Sequence, residues 1–154
     1  GEKACGLLWD ELPFEPDVLV LATATGTTMR GILRGRDQRG INTSVCGIPV
    51  LFNAAEQRDA LTASGTNNWE LVEGYEAGGY ARADDDLLRF CISASTAINA
   101  VLDPVYTGKA WYALQQLIEG KHWQDTARIV FLHTGGTYGL FTPPFAARRA
   151  KLGI

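Results

Sequence analysis

Lysine, histidine and sulfur are all scarce in this sequence, and each shortage narrows what the chain can do. The only lysines are Lys3, Lys109, Lys121 and Lys151, lysine and arginine form no long run, and the formal net charge is −3. No basic stripe is available for a polyanion, so nucleic acid is not an expected partner. The two histidines, His122 and His133, have no second histidine or cysteine at ligand spacing, so no metal site is expected. Three widely spaced cysteines, Cys5, Cys46 and Cys91, suit neither a disulfide framework nor a zinc site and read as reduced, half-buried thiols. Long apolar runs are missing too. Segments such as Val18 to Ala22 and Ile129 to Leu132 are too short to span a bilayer, and no secretory pattern precedes them. No membrane partner and a cytoplasmic location are expected. Neither three spaced glycines nor Gly-Lys-Ser/Thr occurs, which excludes the dinucleotide fingerprint and the Walker loop.

What is present is apolar residue in the proportion of a globular domain, 46%, with 20% charged residues. The chain opens on Gly1, and Glu2 to Leu12 reads as the end of a helix with Leu7, Leu8 and Leu12 on one side, so a preceding segment is expected. Asp17 to Ala22 has the continuous apolar character of a strand buried in a parallel sheet. The small, hydroxyl-rich stretch Thr23 to Thr28 follows, then a helix over Met29 to Arg36. The pattern recurs with a strand at Thr43 to Val50 and a helix at Ala54 to Ala63. A short strand at Trp69 to Val72 leads into the glycine-rich loop Glu73 to Tyr80. Asp84, Asp85 and Asp86 then favour a helix start, with Leu87, Leu88, Cys91 and Ile92 on its apolar side. A helix from Lys109 to Ile118 closed by Gly120, and a strand from Ala127 to His133 running into Thr134-Gly-Gly-Thr137, complete the order. Alternating strands and helices predict an α/β fold: an open, mostly parallel sheet with helices on both faces.

Two of these loops invite chemistry. A loop between a strand's carboxyl end and a helix's amino end offers free backbone N–H groups to an anion. Ala24, Thr25, Gly26, Thr27 and Thr28 have the composition of a phosphate cradle, although an ordinary threonine cap has the same composition. Tyr80 and Tyr106 read equally well as half-buried aromatics. The Thr25-Gly26 and Thr134-Gly135-Gly136 loops both follow apolar strands, however, and in a parallel sheet they emerge at one edge and converge on one ligand.

Leu102-Asp-Pro-Val-Tyr-Thr-Gly-Lys-Ala110, followed by Phe131-Leu-His-Thr-Gly-Gly136 and Gly139-Leu-Phe141, resembles the end of the D-cysteine desulfhydrase and 1-aminocyclopropane-1-carboxylate deaminase family. Thr23 to Thr28 is similar to that family's phosphate loop and Glu73 to Ala81 to its tyrosine-bearing loop, so the likeness runs from about Asp17 to Phe141. It implies pyridoxal 5'-phosphate (PLP) as cofactor, a small amino acid as substrate, a fold like the tryptophan synthase beta subunit with cofactor between two open α/β domains, and a homodimer when full length. By the same resemblance Ala24, Thr25, Gly26, Thr27 and Thr28 hold the phosphate. Thr107 and Thr134 lie near the pyridine nitrogen, and Tyr106 and Tyr80 approach the substrate, assisting proton transfer or nucleophilic attack if their pKa is lowered. Lys109 and His133 belong to the motif in structural roles.

Three departures qualify the resemblance. Where the deaminases carry Glu this chain has Thr107, which cannot favour a protonated ring nitrogen, so a desulfhydrase-like lyase forming pyruvate, ammonia and sulfide is preferred over a deaminase. Ala24 to Thr28 also lacks the adjacent glycines common in desulfhydrases. The Schiff-base lysine lies in the family's amino-terminal half, and no Gly-Gly-Asn-Lys-like segment appears here. Residues 1–154 are thus expected to be the carboxy-terminal, phosphate-binding portion of a two-domain enzyme, inactive alone; a non-catalytic phosphate-ligand binding module, or a subunit pairing with a separate polypeptide, are the other readings.

Overall fold

The computed structural model describes residues 2–154. Four strands form one sheet in the order β3-β2-β1-β4, every neighbouring pair parallel: β1 Val18–Thr23, β2 Ser44–Pro49, β3 Trp69–Leu71 and β4 Ile129–Leu132. All six residues of β1 are buried, as a central strand covered on both faces requires. Among the described residues seven helices accompany the sheet: α1 Glu2–Cys5, α2 Leu8–Glu11, α3 Thr27–Gln38, α4 Ala54–Ala63, α5 Asp85–Ile98, α6 Thr107–Glu119 and α7 Pro143–Leu152, with a 3-10 turn over Thr137–Phe141.

Alternation along β1 sorts its side chains between two cores. Leu19 and Leu21 pack with Met29, Ile32 and Leu33 of α3 and Leu61 of α4 on one face. Val18, Val20 and Ala22 pack with Ala110, Ala113 and Leu114 of α6 on the other. A third cluster joins Leu88 and Cys91 of α5 to Val105, Leu140 and Phe145. The sheet is therefore clothed on both faces, as the alternating pattern predicted. Among the described residues no helix is long and apolar enough to cross a membrane.

The four strands and α3 to α6 follow the sequence reading to within a residue or two, whereas α7 and the 3-10 turn lie where no element was expected and one further reading is corrected. Glu2 to Leu12 does not form the end of one helix but two single turns, α1 and α2, with the chain bending at Gly6 and Leu7. The bend lets Gly6 press onto α3, where a Cβ on Gly35 would lie 2.4 Å from the Gly6 Cα. The cysteines also sit deeper than expected: Cys46 and Cys91 are buried and only Cys5 is half-buried.

Candidate cofactor-phosphate site

From β1 the chain steps outward through β2 and β3, then returns to place β4 on the other side of β1. The carboxyl ends of β1 and β4 thus flank a topological switch point, where open α/β sheets leave a crevice. A cavity of about 240 Å³ lies there, lined by residues 22–29 together with Tyr106 and Thr134, Gly135 and Gly136. Gly26 and Gly135 share one wall-to-wall space, as the convergence of the two loops required.

The cradle side of this cavity is built to donate. Gly26 takes the left-handed conformation, with φ of +74°, and serves as N-cap of α3 without any side-chain cap. The ordinary threonine cap is therefore not what the structure contains. The Ala24 carbonyl is turned away and accepts hydrogen bonds from Asn53 Nδ2 at 2.7 Å and Gln57 Nε2 at 3.0 Å. The Thr25 carbonyl accepts one from Arg30 Nη1 at 3.2 Å. With the carbonyls held behind the loop, no acceptor among the described residues faces the backbone N–H groups of Thr25, Gly26, Thr27 or Thr28. Thr25 and Thr27 share a hydroxyl contact of 3.0 Å, and the buried Thr23 Oγ1 at the base of the cavity has no partner. Free N–H groups, the positive end of a helix dipole and an orphaned hydroxyl fit a phosphate group.

Tyr106 lies on the opposite wall, half-buried, with the Tyr80 ring edge-on to it at a centroid distance of 6.2 Å. Tyr80 itself is 64% exposed and stands at the rim. Burial, and next the Tyr80 hydroxyl, push the Tyr106 phenol above its ordinary value of 10.0. The lowered pKa on which a nucleophilic role depended is not found for Tyr106; this phenol keeps its proton at neutral pH. Thr134, exposed, contributes to the far rim.

Thr107 is the first residue of α6. It is fully buried and does not line the cavity; its hydroxyl donates to Asp103 Oδ2 at 2.8 Å and accepts from the Asp103 N–H at 3.0 Å. The same carboxylate accepts hydrogen bonds from the N–H groups of Val105, Tyr106 and Thr107, which anchors the start of α6 and the backbone of Tyr106. Asp103, Asn53, Gln57 and Arg30 are therefore the supporting residues that sequence reasoning missed. Asn53 and Gln57 stand one turn apart at the start of α4, a spacing visible in the sequence, but their common target on another loop is not. Lys109 Nζ is bonded to the Glu76 and Gly79 carbonyls and His133 Nε2 to the Val101 carbonyl, so both lie in scaffold contacts. None of the four lysines lines the cavity.

A crevice lined by free N–H groups at the switch point of a parallel α/β sheet defines the class of fold and site: an open α/β domain whose strand ends fit a phosphorylated ligand. More closely, the chain belongs to the pyridoxal-phosphate dependent enzyme family, whose model matches residues 3–135. It is 35% identical over 143 residues to the bifunctional D-cysteine desulfhydrase/1-aminocyclopropane-1-carboxylate deaminase, mitochondrial, of Arabidopsis thaliana, covering 86% of this chain and 35% of that protein. It is 29% identical over 134 residues to D-cysteine desulfhydrase of Salmonella newport, covering 80% of this chain and 41% of the relative. A crystal structure of an ACC deaminase homologue superposes with a TM-score of 0.78 at 25% identity, over 98% of this chain and 48% of the other. The chain thus spans less than half the length of each of these proteins.

Proposed function

We propose that this chain is the carboxy-terminal, cofactor-phosphate-binding portion of a two-domain PLP enzyme that acts on D-cysteine or a closely related small amino acid. The observation that carries the reading is the single cavity shared by the Thr25–Thr28 cradle, Tyr106 and the Thr134–Gly136 turn. Ala24, Thr25, Gly26, Thr27 and Thr28 would hold the phosphate through N–H and hydroxyl groups, with Thr134 beside the ring. When bound, PLP withdraws electrons from the substrate α-carbon and so acidifies its proton. Tyr106, holding its own proton at neutral pH, offers an O–H to the departing sulfur, and Tyr80 closes the approach from the rim. The net change balances as D-cysteine plus water giving pyruvate, ammonia and hydrogen sulfide. The lysine that anchors the cofactor would come from an amino-terminal part, consistent with lysine-free cavity walls and with the share of its relatives that the chain spans.

Desulfhydration is preferred over deamination because no carboxylate lines the cavity among the described residues, and position 107 is Thr. The bifunctional name of the plant relative and the deaminase homologue among solved structures keep 1-aminocyclopropane-1-carboxylate as the second substrate to test. A homodimeric full-length enzyme in the cytoplasm completes the proposal; native mass checks the first part. The decisive experiment supplies the full-length protein with PLP and then with D-cysteine, L-cysteine or the cyclopropane amino acid. Sulfide and pyruvate in equal amounts from D-cysteine are expected. A four-carbon keto acid from the cyclopropane substrate alone overturns the lyase reading in favour of the deaminase, and PLP binding without turnover of any of the three leaves a binding module.

A further inference from the structure

The loop that carries Tyr80 is an unfavourable piece of backbone. Between Gly74 and Ala81 five residues have positive φ: Gly74 at +96°, Ala77 at +47°, Gly78 at +86°, Gly79 at +95° and Ala81 at +53°. Two of these are alanines, which populate that region at a cost. Few local bonds hold it: Gly79 N–H donates to the Glu76 carbonyl at 2.9 Å, Arg82 N–H to the Gly79 carbonyl at 3.3 Å, and Gly74 N–H to the Glu76 carboxylate at 3.2 Å. Into this loop, from the first turn of α6, runs the side chain of Lys109, only 1% exposed. Its ammonium donates to the Glu76 carbonyl at 2.6 Å and the Gly79 carbonyl at 2.7 Å. Burial works against the charge there, while Asp103 and Glu76 favour it. Lys109 lies three residues from Tyr106 on the same helix start, and Gly79 immediately precedes Tyr80. One buried cation therefore ties together the two elements that present the tyrosine pair.

We propose that Lys109 is a positioning residue: by gripping the Glu76 and Gly79 carbonyls it fixes the Gly74–Ala81 loop so that Tyr80 meets Tyr106 at the mouth of the cavity. The importance of that pair for turnover rests on the proposed function; the grip on the loop does not. Hydrogen bonds from a charged donor are the strong ones, and two of them on adjacent turns of a strained loop outweigh its neutral contacts. Because each carbonyl keeps a backbone partner, removing the ammonium is a local injury.

The test uses the full-length protein with Lys109→Met, which keeps the stem and removes the cation, and Lys109→Gln, which keeps a neutral N–H donor and stands in should the first fail to fold. Amide hydrogen exchange in residues 74–81 is expected to be at least about tenfold faster in Lys109→Met, the effect of losing one charge-assisted hydrogen bond, and intermediate in Lys109→Gln. Protection in that loop equal to the parent's in whichever variant folds, or a loss spread evenly over the chain, overturns the proposal. In steady-state turnover kcat is expected to fall with KM little changed, and the fall is expected to vanish when the comparison is made in a Tyr80→Phe background. Independent, multiplicative losses overturn the route through Tyr80. A parent enzyme that turns over none of the three amino acids sinks the proposed function, and the exchange measurement then decides the role of Lys109 by itself.

Discussion

Gly26 shows how much of the cradle rests on one residue. Its φ of +74° is costly for any side chain, and a Cβ there would lie 3.4 Å from Arg30 Nη1, the group that holds the Thr25 carbonyl out of the cavity. Gly26→Val is expected to lose about 1–2 kcal/mol of stability to backbone strain and to weaken phosphate-ligand binding by roughly tenfold or more as the loop's N–H groups lose alignment. Phosphorus NMR titration with PLP and a urea unfolding curve check the two parts; unchanged affinity would remove Gly26 from the cradle. Thr107 poses the opposite question, since its place in the family motif points to the ligand and its hydrogen bonds point to Asp103. Thr107→Val leaves a buried carboxylate short of a donor and is expected to cost about 1–3 kcal/mol. Glutamate at this position would bring a second carboxylate to the buried Asp103 carboxylate and remove the hydroxyl that donates to it, so Thr107→Glu is expected to destabilise the chain further rather than confer deaminase activity. Urea midpoints together with assays on both substrates read this out. A threonine's commitment to a residue four positions back is a fact of packing, which its place in a family motif does not reveal.

Elements were easier to read than their ends. β1 is visible because a central parallel strand must be apolar on both faces, and α4 because Leu61 turns in while its polar residues, the buried Gln57 excepted, face out. α6 begins at Thr107, two residues ahead of the expected Lys109, because the Asp103 carboxylate collects three N–H groups before the helical pattern starts. Asp103→Ala removes that anchor and is expected to cost about 2–4 kcal/mol, as a cap and several buried hydrogen bonds are lost together. Because the same carboxylate holds the Tyr106 N–H, ligand affinity should drop as well; calorimetric Tm and PLP titration measure the pair. No strong apolar stripe marks α7, although Pro143 at its start and Gly153 just past its end are ordinary helix punctuation. The bend at Gly6 was not legible, because its cause is the close approach of Gly35 on another helix. The two loops of the cavity were legible, because a parallel sheet leaves strand ends nowhere else to go; Asn53, Gln57 and Arg30 behind them were not, because nothing local requires their side chains to meet those carbonyls.

At the scale of the whole molecule, the buried acids set how the fold responds to alkali. Burial pushes the Cys91 thiol up to about 12 from an ordinary 9.0, and pushes Cys46 higher still with the neighbouring Glu70 carboxylate adding to it. Tyr106 is shifted upward as well. Each group keeps its proton in the folded state at pH values where the unfolded chain has released it. The stability they contribute is whole below about pH 9 and is lost as pH rises through the folded values. Two thiols lose about 1.4 kcal/mol each per pH unit over that window. Against a marginal total for a domain of this size, the fold is expected to fail by roughly pH 11 to 12. Lys109, its pKa lowered by burial, works in the opposite direction, because the unfolded chain holds that proton longer; one such group does not offset two thiols. Urea midpoints taken from pH 8 to 11 should fall steeply in the parent and more gently in a Cys46→Val, Cys91→Ala double variant, even though the variant starts less stable from the space left at Cys91 and the added bulk at Cys46. A pH slope unchanged by the double substitution would mean that the thiols titrate outside the folded core, and would put the packing of α5 and β2 around them in question.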